Sequence, residues 1–281
     1  MNLEVIERIK NASGFIFDMD GTIALGDAAS GGHKALPFAT ETLAAIRALG
    51  MPFRVYTNGS AKAPATYAAS LRNAGFDLRD EEMMTPSSSA AVWFVKKGIT
   101  RVRVLGNEGV GAPLRDAGII VFGPSEKASN VEAVYTGWYR EFTFPDMEAA
   151  CESVWDGAIL TTASHVPFFA TATGRAIGAS FAINAMVTAM TGKRAKVLGK
   201  PSRIAFDAAA RDMGISPAAA KNIVVVGDDP GLEMRMANGA GAVSIGMTTG
   251  LMKRDTVDGL SAAETPMALL DSLEPMLKAL R

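Results

Sequence analysis

Short apolar runs alternate with amphipathic segments along most of the chain, and this alternation predicts α/β structure. Buried strands are predicted where nearly every residue is apolar: Gly14–Phe17, Phe53–Tyr56 and Ile223–Val226. Helices are predicted where apolar residues recur at helical spacing: 37–49, 64–74, 201–213 and 231–237. Strands without a polar face suit a parallel sheet that helices cover on both sides. We therefore expect a doubly wound α/β layer.

The middle third repeats the alternation on a smaller scale. Helices are predicted there over 90–97 and 145–154, and strands over 102–105, 119–122, 131–135 and 159–162. These elements are enough for a second α/β unit. We predict one domain over 1–85 and 186–281, with the second inserted over 86–185. The glycine cluster at 106–111 has the wrong order for a dinucleotide fingerprint and predicts a turn.

Composition narrows the class of protein. Twenty-eight basic and 29 acidic side chains nearly cancel, and the pI is about 6.2, so neither nucleic acid nor an anionic membrane is an expected partner. With Cys151 alone no internal disulfide can form, which suits a reducing compartment. No apolar run approaches the length of a membrane span, and the charged N-terminus lacks a signal-peptide pattern. We expect a soluble cytoplasmic protein.

Two carboxylates, Asp18 and Asp20, directly follow the first predicted strand. Their spacing by two places both on the same side of the strand end, where open α/β sheets bind ligands. One aspartate can be a nucleophile while the other moves a proton or holds a metal. Gly21 permits a tight turn near a bound anion. The alternative is that these residues only cap a helix and form a turn.

Polar groups also follow the second strand and precede a later helix. Thr57, Asn58 and Gly59 can donate hydrogen bonds to phosphate oxygens, or they can form an ordinary strand-to-helix turn. Lys200 stands between a glycine and a proline at a helix start, where it can neutralise an anion. The alternative for a lysine is a solvated surface position.

Acidic residues follow the strand at 223–226. Asp228, Asp229 and Glu233 would repel one another unless a cation is bound, and oxygen ligands select Mg²⁺ or Ca²⁺. The alternative is a polar turn in which Asp229 caps the next helix.

These four segments, in this order, resemble the four motifs of the haloacid dehalogenase-like (HAD) superfamily, in its phosphatase branch. Residues 199–247 are similar to the NagD-like, 4-nitrophenylphosphatase-like subgroup, and a large insert lies between the second and third motifs. The resemblance covers nearly the whole chain. It implies a Rossmann-like HAD core with an inserted α/β cap domain that determines substrate specificity.

The resemblance also implies an activity, a phosphomonoester hydrolase that acts on a small phosphorylated metabolite through an aspartyl-phosphate. Asp18 would be the nucleophile, and Asp20 would be the general acid and base. Lys200 would screen Asp18 from the phosphate. Thr57 and the Asn58 amide, with the flexible Gly59 beside them, would hold the phosphoryl group.

The metal implied by the resemblance is Mg²⁺. Asp18, the backbone carbonyl of Asp20 and Asp228 would bind it. The family usually has a further aspartate five residues after the last of these ligands, whereas this chain has Glu233, one methylene longer. Asp229 is a plausible substitute.

The insert departs from the family's cap pattern. A Gly-x-Asp and a Thr-Asn-x-Asp are usual there, and this chain has Tyr139, Ala163 and His165 at the polar positions. Tyr139 and His165 are candidate substrate-binding residues, with ordinary packing as the alternative. His33 lies in the loop after the first motif, and a solvated position is expected for it, with a position facing the site as the alternative.

Other readings stay open. A catalytically weak phosphometabolite- or nucleotide-binding sensor of the same fold would carry the same motifs, and so would a phosphomutase. The expected partner is a small-molecule phosphate ester, and a homodimer formed through the cap is compatible with the sequence.

Overall fold

The computed structural model describes residues 1–27, 32–171 and 174–281, and its internal contacts divide it into two compact units. Unit 1 comprises Met1–Thr57, Ala65–Met84 and Ala205–Arg281. Unit 2 comprises Asn58–Pro64 and Thr85–Ile204. No helix in the described part of the chain is both long and apolar enough to cross a membrane.

Helices and strands alternate through both units. The α-helices are α1 (Leu3–Lys10), α2 (Ala39–Ala48), α3 (Pro64–Asn73), α4 (Pro86–Lys97), α5 (Glu108–Asp116), α6 (Phe144–Trp155), α7 (Ala179–Thr191), α8 (Arg203–Asp212), α9 (Arg235–Ala240) and α10 (Glu274–Leu280). The strands are β1 (Gly14–Phe17), β2 (Ala24–Asp27), β3 (Gly32–Ala35), β4 (Phe53–Tyr56), β5 (Met83–Met84), β6 (Arg101–Leu105), β7 (Ile120–Phe122), β8 (Ala133–Thr136), β9 (Ile159–Thr162), β10 (Phe168–Thr171), β11 (Gly174–Ile177), β12 (Lys196–Val197), β13 (Ile223–Gly227), β14 (Val243–Met247) and β15 (Ala268–Leu270).

Unit 1 is built on a six-stranded parallel sheet in the order β15-β14-β13-β1-β4-β5. From β1 the chain continues to β4 and β5 on one side, and later to β13, β14 and β15 on the other. The strand order therefore reverses beside β1, where ligands of such sheets bind. The predicted doubly wound α/β layer is confirmed.

Unit 2 is built on a five-stranded parallel sheet in the order β12-β9-β8-β6-β7. Side chains alternate between its faces, because successive residues of a strand point to opposite sides. Ala133 and Tyr135 of β8 pack with residues of α4 and α5, whereas Val134 packs with residues of α6 and α7. The predicted second α/β unit is therefore present.

Three stretches differ from the sequence predictions. The glycine cluster at 106–111 does not form a simple turn, because α5 begins at Glu108. After β1, strands β2 and β3 pair in the antiparallel direction, so His33 lies in a strand and not in the predicted loop. The predicted boundary at 185 falls inside α7, which packs on β8 and β9, and β12 pairs with β9. Residues 186–204 consequently belong to unit 2.

Candidate active site

Three central strands of unit 1 end side by side, and each is followed by a residue predicted to act in the site. β1 pairs in parallel with β13 on one side and with β4 on the other. Asp18 follows β1, Thr57 follows β4 and Asp228 follows β13, and all three residues are buried. The sheet thereby brings three of the predicted residues to one edge.

Asp18 and Asp20 have different surroundings. Asp18 is 8% exposed, its N–H donates to the Val226 carbonyl at 2.9 Å, and the Thr22 hydroxyl donates to its Oδ2 at 3.4 Å. The Asp20 side chain is 55% exposed. The first carboxylate is held in place, while the second is open to water. This difference suits a fixed nucleophile and a proton carrier that exchanges with solvent.

Backbone closes tightly around the Asp228 carboxylate. The N–H of Leu251 donates to its Oδ2 at 2.7 Å. A Cβ atom on Gly250 would lie 1.8 Å from the same oxygen, and one on Gly21 would lie 2.5 Å from it. Gly21 also has a φ of +83°, which favours glycine. These two glycines are required because a side chain would displace the carboxylate from the strand end.

Asp229 and Glu233 stabilise the loop that follows β13. Asp229 accepts the N–H of Gly231 at 2.8 Å and so caps a π-helix over Pro230–Met234. Glu233 is buried and accepts the N–H of Asp229 at 3.1 Å. The interpretation of Asp229 as a helix cap is confirmed, and both carboxylates have a structural role in this turn.

The donor groups at this edge suit a hard cation. Within the described ranges, no three carboxylate, imidazole or thiol side chains come close enough together to hold a metal ion. The predicted set needs only the carboxylates of Asp18 and Asp228 and one backbone carbonyl, all of them oxygen donors. Mg²⁺ commonly keeps several waters beside one or two carboxylates. The residues present therefore fit Mg²⁺ with water and substrate as its other ligands.

In unit 2, Asn58 and Lys200 are joined by two hydrogen bonds. The Asn58 Nδ2 donates to the Lys200 carbonyl at 3.0 Å, and the Lys200 N–H donates to the Asn58 Oδ1 at 3.0 Å. A Cβ atom on Gly199 would lie 3.0 Å from the same Oδ1. The Asn58 side chain therefore fixes the backbone of Lys200, although the two residues are far apart in sequence.

The rest of the 58–64 segment is held by unit 2 as well. The Ser60 Oγ accepts the N–H of Trp138 at 3.0 Å. The Asn107 Nδ2 donates to the Ala61 carbonyl at 2.8 Å. A Cβ atom on Gly109 would lie 2.6 Å from the backbone of Lys62. No local sequence pattern predicts these contacts, because each joins residues distant in sequence.

The two candidate substrate residues of unit 2 differ in their contacts. The Tyr139 hydroxyl donates to the Asp146 Oδ2 at 3.0 Å. Burial and this hydrogen bond raise the pKa of Tyr139 to about 12. His165 is exposed, with its ring edge-to-face on Phe181 at 5.0 Å between centroids. The Tyr139 hydroxyl thus ties its loop to α6, whereas His165 stays accessible.

His33 does not lie in a solvated loop, contrary to the sequence prediction. It belongs to β3, and its side chain is 8% exposed. The Nδ1 atom is 2.8 Å from the Ser70 Oγ, and Nε2 is 3.7 Å from the Asp20 Oδ1. No local sequence pattern indicates these contacts, since they depend on how the β2–β3 hairpin packs on α3.

Comparison with known proteins gives matches over nearly the whole chain. The family description "Haloacid dehalogenase-like hydrolase" matches residues 15–120, and "HAD-hydrolase-like" matches residues 197–276. Mouse chronophin is 28% identical over 267 residues, covering 92% of this chain and 85% of its own.

Solved structures with a similar fold cover nearly the whole chain as well. A 4-nitrophenylphosphatase from Thermotoga maritima has a TM-score of 0.83 at 23% identity, covering 98% of this chain and 99% of its own. A glycerol phosphate phosphatase from Mycobacterium tuberculosis, solved in complex with magnesium, has a TM-score of 0.81 at 21% identity, covering 98% of this chain and 78% of its own. These two likenesses establish a shared fold.

Proposed function

The chain belongs to the haloacid dehalogenase-like hydrolases, and we propose that it is a Mg²⁺-dependent phosphomonoester hydrolase acting on a small phosphorylated metabolite through an aspartyl-phosphate. One observation carries the proposal. Asp18 and Asp228 follow adjacent strands beside the point where the strand order reverses, and the exposed Asp20 lies two residues beyond the first.

The reaction needs two displacements at phosphorus. In the first, a carboxylate oxygen of Asp18 attacks phosphorus and the bond to the ester oxygen breaks, while Asp20 gives a proton to that oxygen. In the second, water attacks the aspartyl-phosphate, Asp20 takes a proton from the water, and the Asp18 carboxylate leaves with the bonding electron pair. Alcohol and inorganic phosphate are the products, and both aspartates return to their starting state.

Positive charge and hydrogen-bond donors are needed because a carboxylate repels a phosphate dianion. Asp18, the carbonyl of Asp20 and Asp228 would hold Mg²⁺, which when bound supplies charge that offsets this repulsion. Lys200 supplies a further positive charge. The hydroxyl of Thr57 is the side-chain donor assigned to the phosphoryl group.

The 58–59 segment is assigned to phosphate binding through its backbone. Both polar atoms of the Asn58 side chain bond to the backbone of Lys200. We therefore assign the backbone N–H groups of Asn58 and Gly59 as donors to phosphate, beside the second N–H of the Asn58 side-chain amide.

We assign substrate specificity to residues of unit 2. The exposed His165 is the stronger candidate for substrate contact, and Tyr139 acts by holding its loop. His165→Ala should change the order of preference in a panel of sugar phosphates and nucleoside monophosphates, with little effect on 4-nitrophenyl phosphate. An unchanged order of preference would remove His165 from the site. A homodimer through unit 2 stays a prediction, to be checked by light scattering.

The decisive test separates the two aspartates. We expect phosphate release from 4-nitrophenyl phosphate that requires Mg²⁺ and stops in excess chelator. Asp18→Asn should reduce turnover to background, because no phosphoryl-enzyme can form. Asp20→Asn should slow turnover by about 10²–10⁴-fold and let phosphate accumulate on Asp18, which intact-mass measurement after rapid quenching would detect. Asp258→Asn, at an exposed position of unit 1, is the matched control.

Two outcomes would contradict the proposal. Tight binding of phosphate esters without turnover would indicate the sensor instead. Full activity of Asp18→Asn would exclude the aspartyl-phosphate route, although the chain would still be a phosphate-ester hydrolase.

A further inference from the structure

His33 connects two parts of unit 1 at the first motif. It lies opposite Gly26 in the β2–β3 hairpin, and each ring nitrogen faces a polar group from another element. Nδ1 is 2.8 Å from the Ser70 Oγ of α3, and Nε2 is 3.7 Å from the Asp20 Oδ1. The ring also lies beside Tyr67 of α3, at 6.5 Å between centroids.

The two carboxylates of the first motif differ in exposure to solvent, and this gives the histidine a function. Asp18 is buried at a strand end, whereas the Asp20 side chain is 55% exposed. An exposed carboxylate samples several rotamers, only some of which can reach the leaving oxygen. The His33 ring is 8% exposed, so its own position is fixed by packing and by Ser70.

We propose that His33 is a positioning residue for Asp20, an inference that rests on the proposed function. A Ser70 hydroxyl that donates to Nδ1 leaves Nε2–H directed toward Asp20. The 3.7 Å between Nε2 and Oδ1 lets the two groups attract each other. The ring thereby restricts the Asp20 carboxylate to the side of the loop from which it transfers protons. α3, through Ser70, sets the orientation of that ring.

Two near-isosteric variants of His33 each keep one contact of the ring and lose the other. His33→Asn keeps a polar atom near the Nδ1 position and can still bond Ser70, but it loses the group facing Asp20. His33→Gln can place an amide near the Nε2 position and loses the bond to Ser70. Lys34→Ala is the matched control, because Lys34 is the next residue of β3, is exposed and points to the opposite face.

The readout is the dependence of kcat/KM on the leaving group. This parameter covers the steps up to release of the alcohol and omits hydrolysis of the aspartyl-phosphate, in which Asp20 acts on every substrate alike. Alkyl phosphates have poor leaving groups and depend on the proton from Asp20, whereas 4-nitrophenolate leaves without it. We expect His33→Asn to lower kcat/KM for glycerol 3-phosphate about tenfold. For 4-nitrophenyl phosphate kcat/KM should fall less than about threefold, because its leaving group needs no proton. His33→Gln should recover part of the loss, and Lys34→Ala should match the parent.

A double-mutant test separates positioning from structural damage. In the Asp20→Asn background, His33→Asn should have almost no further effect, because the group on which it acts is gone. Equal losses of kcat/KM on both esters, or the same loss with and without Asp20, would overturn the proposal. If Asp20→Asn alone leaves alkyl-phosphate hydrolysis unchanged, the proposed function fails instead, so the two failures can be distinguished. Unfolding midpoints of all variants would show that each is folded.

Discussion

Replacing Glu82 by glutamine would remove a carboxylate that unit 1 holds between two arginines. Glu82 is 2% exposed. Arg47 donates to its two oxygens at 2.9 and 2.7 Å, and Arg79 donates to Oε1 at 3.0 and 2.6 Å. Burial alone would raise the pKa of Glu82, but the hydrogen bonds from Arg47 and Arg79 outweigh it and lower the pKa to about 2.

The magnitude follows from linkage between protonation and folding. One pKa unit is worth 1.36 kcal/mol, so a fall from 4.5 to about 2 corresponds to about 3 kcal/mol of folding free energy. Because the folded-state pKa is the lower one, this stability is fully present above pH 4.5 and is lost as the pH falls toward 2. By pH 3 the carboxylate should have lost about 2 kcal/mol of its contribution.

The assay is denaturant unfolding of Glu82→Gln and the parent at pH 7 and pH 3. The variant should be less stable by about 3 kcal/mol at pH 7 and by only about 1 kcal/mol at pH 3. Glu81→Gln is the control, since its side chain is 64% exposed. All three tryptophans lie in unit 2, so their fluorescence does not report on the unfolding of unit 1. Unfolding of unit 1 should be measured instead by hydrogen exchange in peptides around Glu82. A stability difference that is the same at both pH values would refute the reasoning.

Three further predictions concern both units. Asp228→Asn should raise the Mg²⁺ concentration for half-maximal activity at least about tenfold, and a Mg²⁺ titration with unchanged affinity would exclude this ligand. Arg103 is buried, and it donates to Ser153 and to three backbone carbonyls. Arg103→Met should therefore destabilise unit 2 by about 2–4 kcal/mol, seen in tryptophan fluorescence. Tyr139→Phe should lower the free energy of unfolding by about 1 kcal/mol without changing substrate preference. An altered preference would indicate that the Tyr139 hydroxyl contacts the substrate.

The elements that the sequence predicted best are strands buried on both faces. Gly14–Phe17 and Phe53–Tyr56 have the predicted bounds, and the strand predicted over 223–226 extends by one residue to Gly227. Their apolar composition favours burial on both faces of a sheet, and the polar residue after each strand marks its end. The β2–β3 hairpin was missed because glycine and polar residues such as His33 carry no strand pattern there.

Long-range pairs account for most of what the sequence could not predict at the candidate site. The residue types at Asp18 and Asp228 are informative because they follow predicted strands. In contrast, Asn58 and Lys200 bond each other across 142 positions, and His33 meets Ser70 across 37. Neither pairing has a local signal, so the contacts appear only when the chain is folded.

Glu233 shows how a departure from the family pattern is accommodated locally. Its side chain is one methylene longer than the usual aspartate, and a longer buried side chain needs more room. The turn over Pro230–Met234 is π-helical rather than α-helical, so its hydrogen bonds span one residue more and the turn is wider. A Cβ atom on Gly227 would lie 2.2 Å from the Glu233 Cγ, so glycine leaves the remaining space. The wider turn and the missing side chain together let the Glu233 carboxylate accept the Asp229 N–H, holding the loop after β13 in which Asp228 lies.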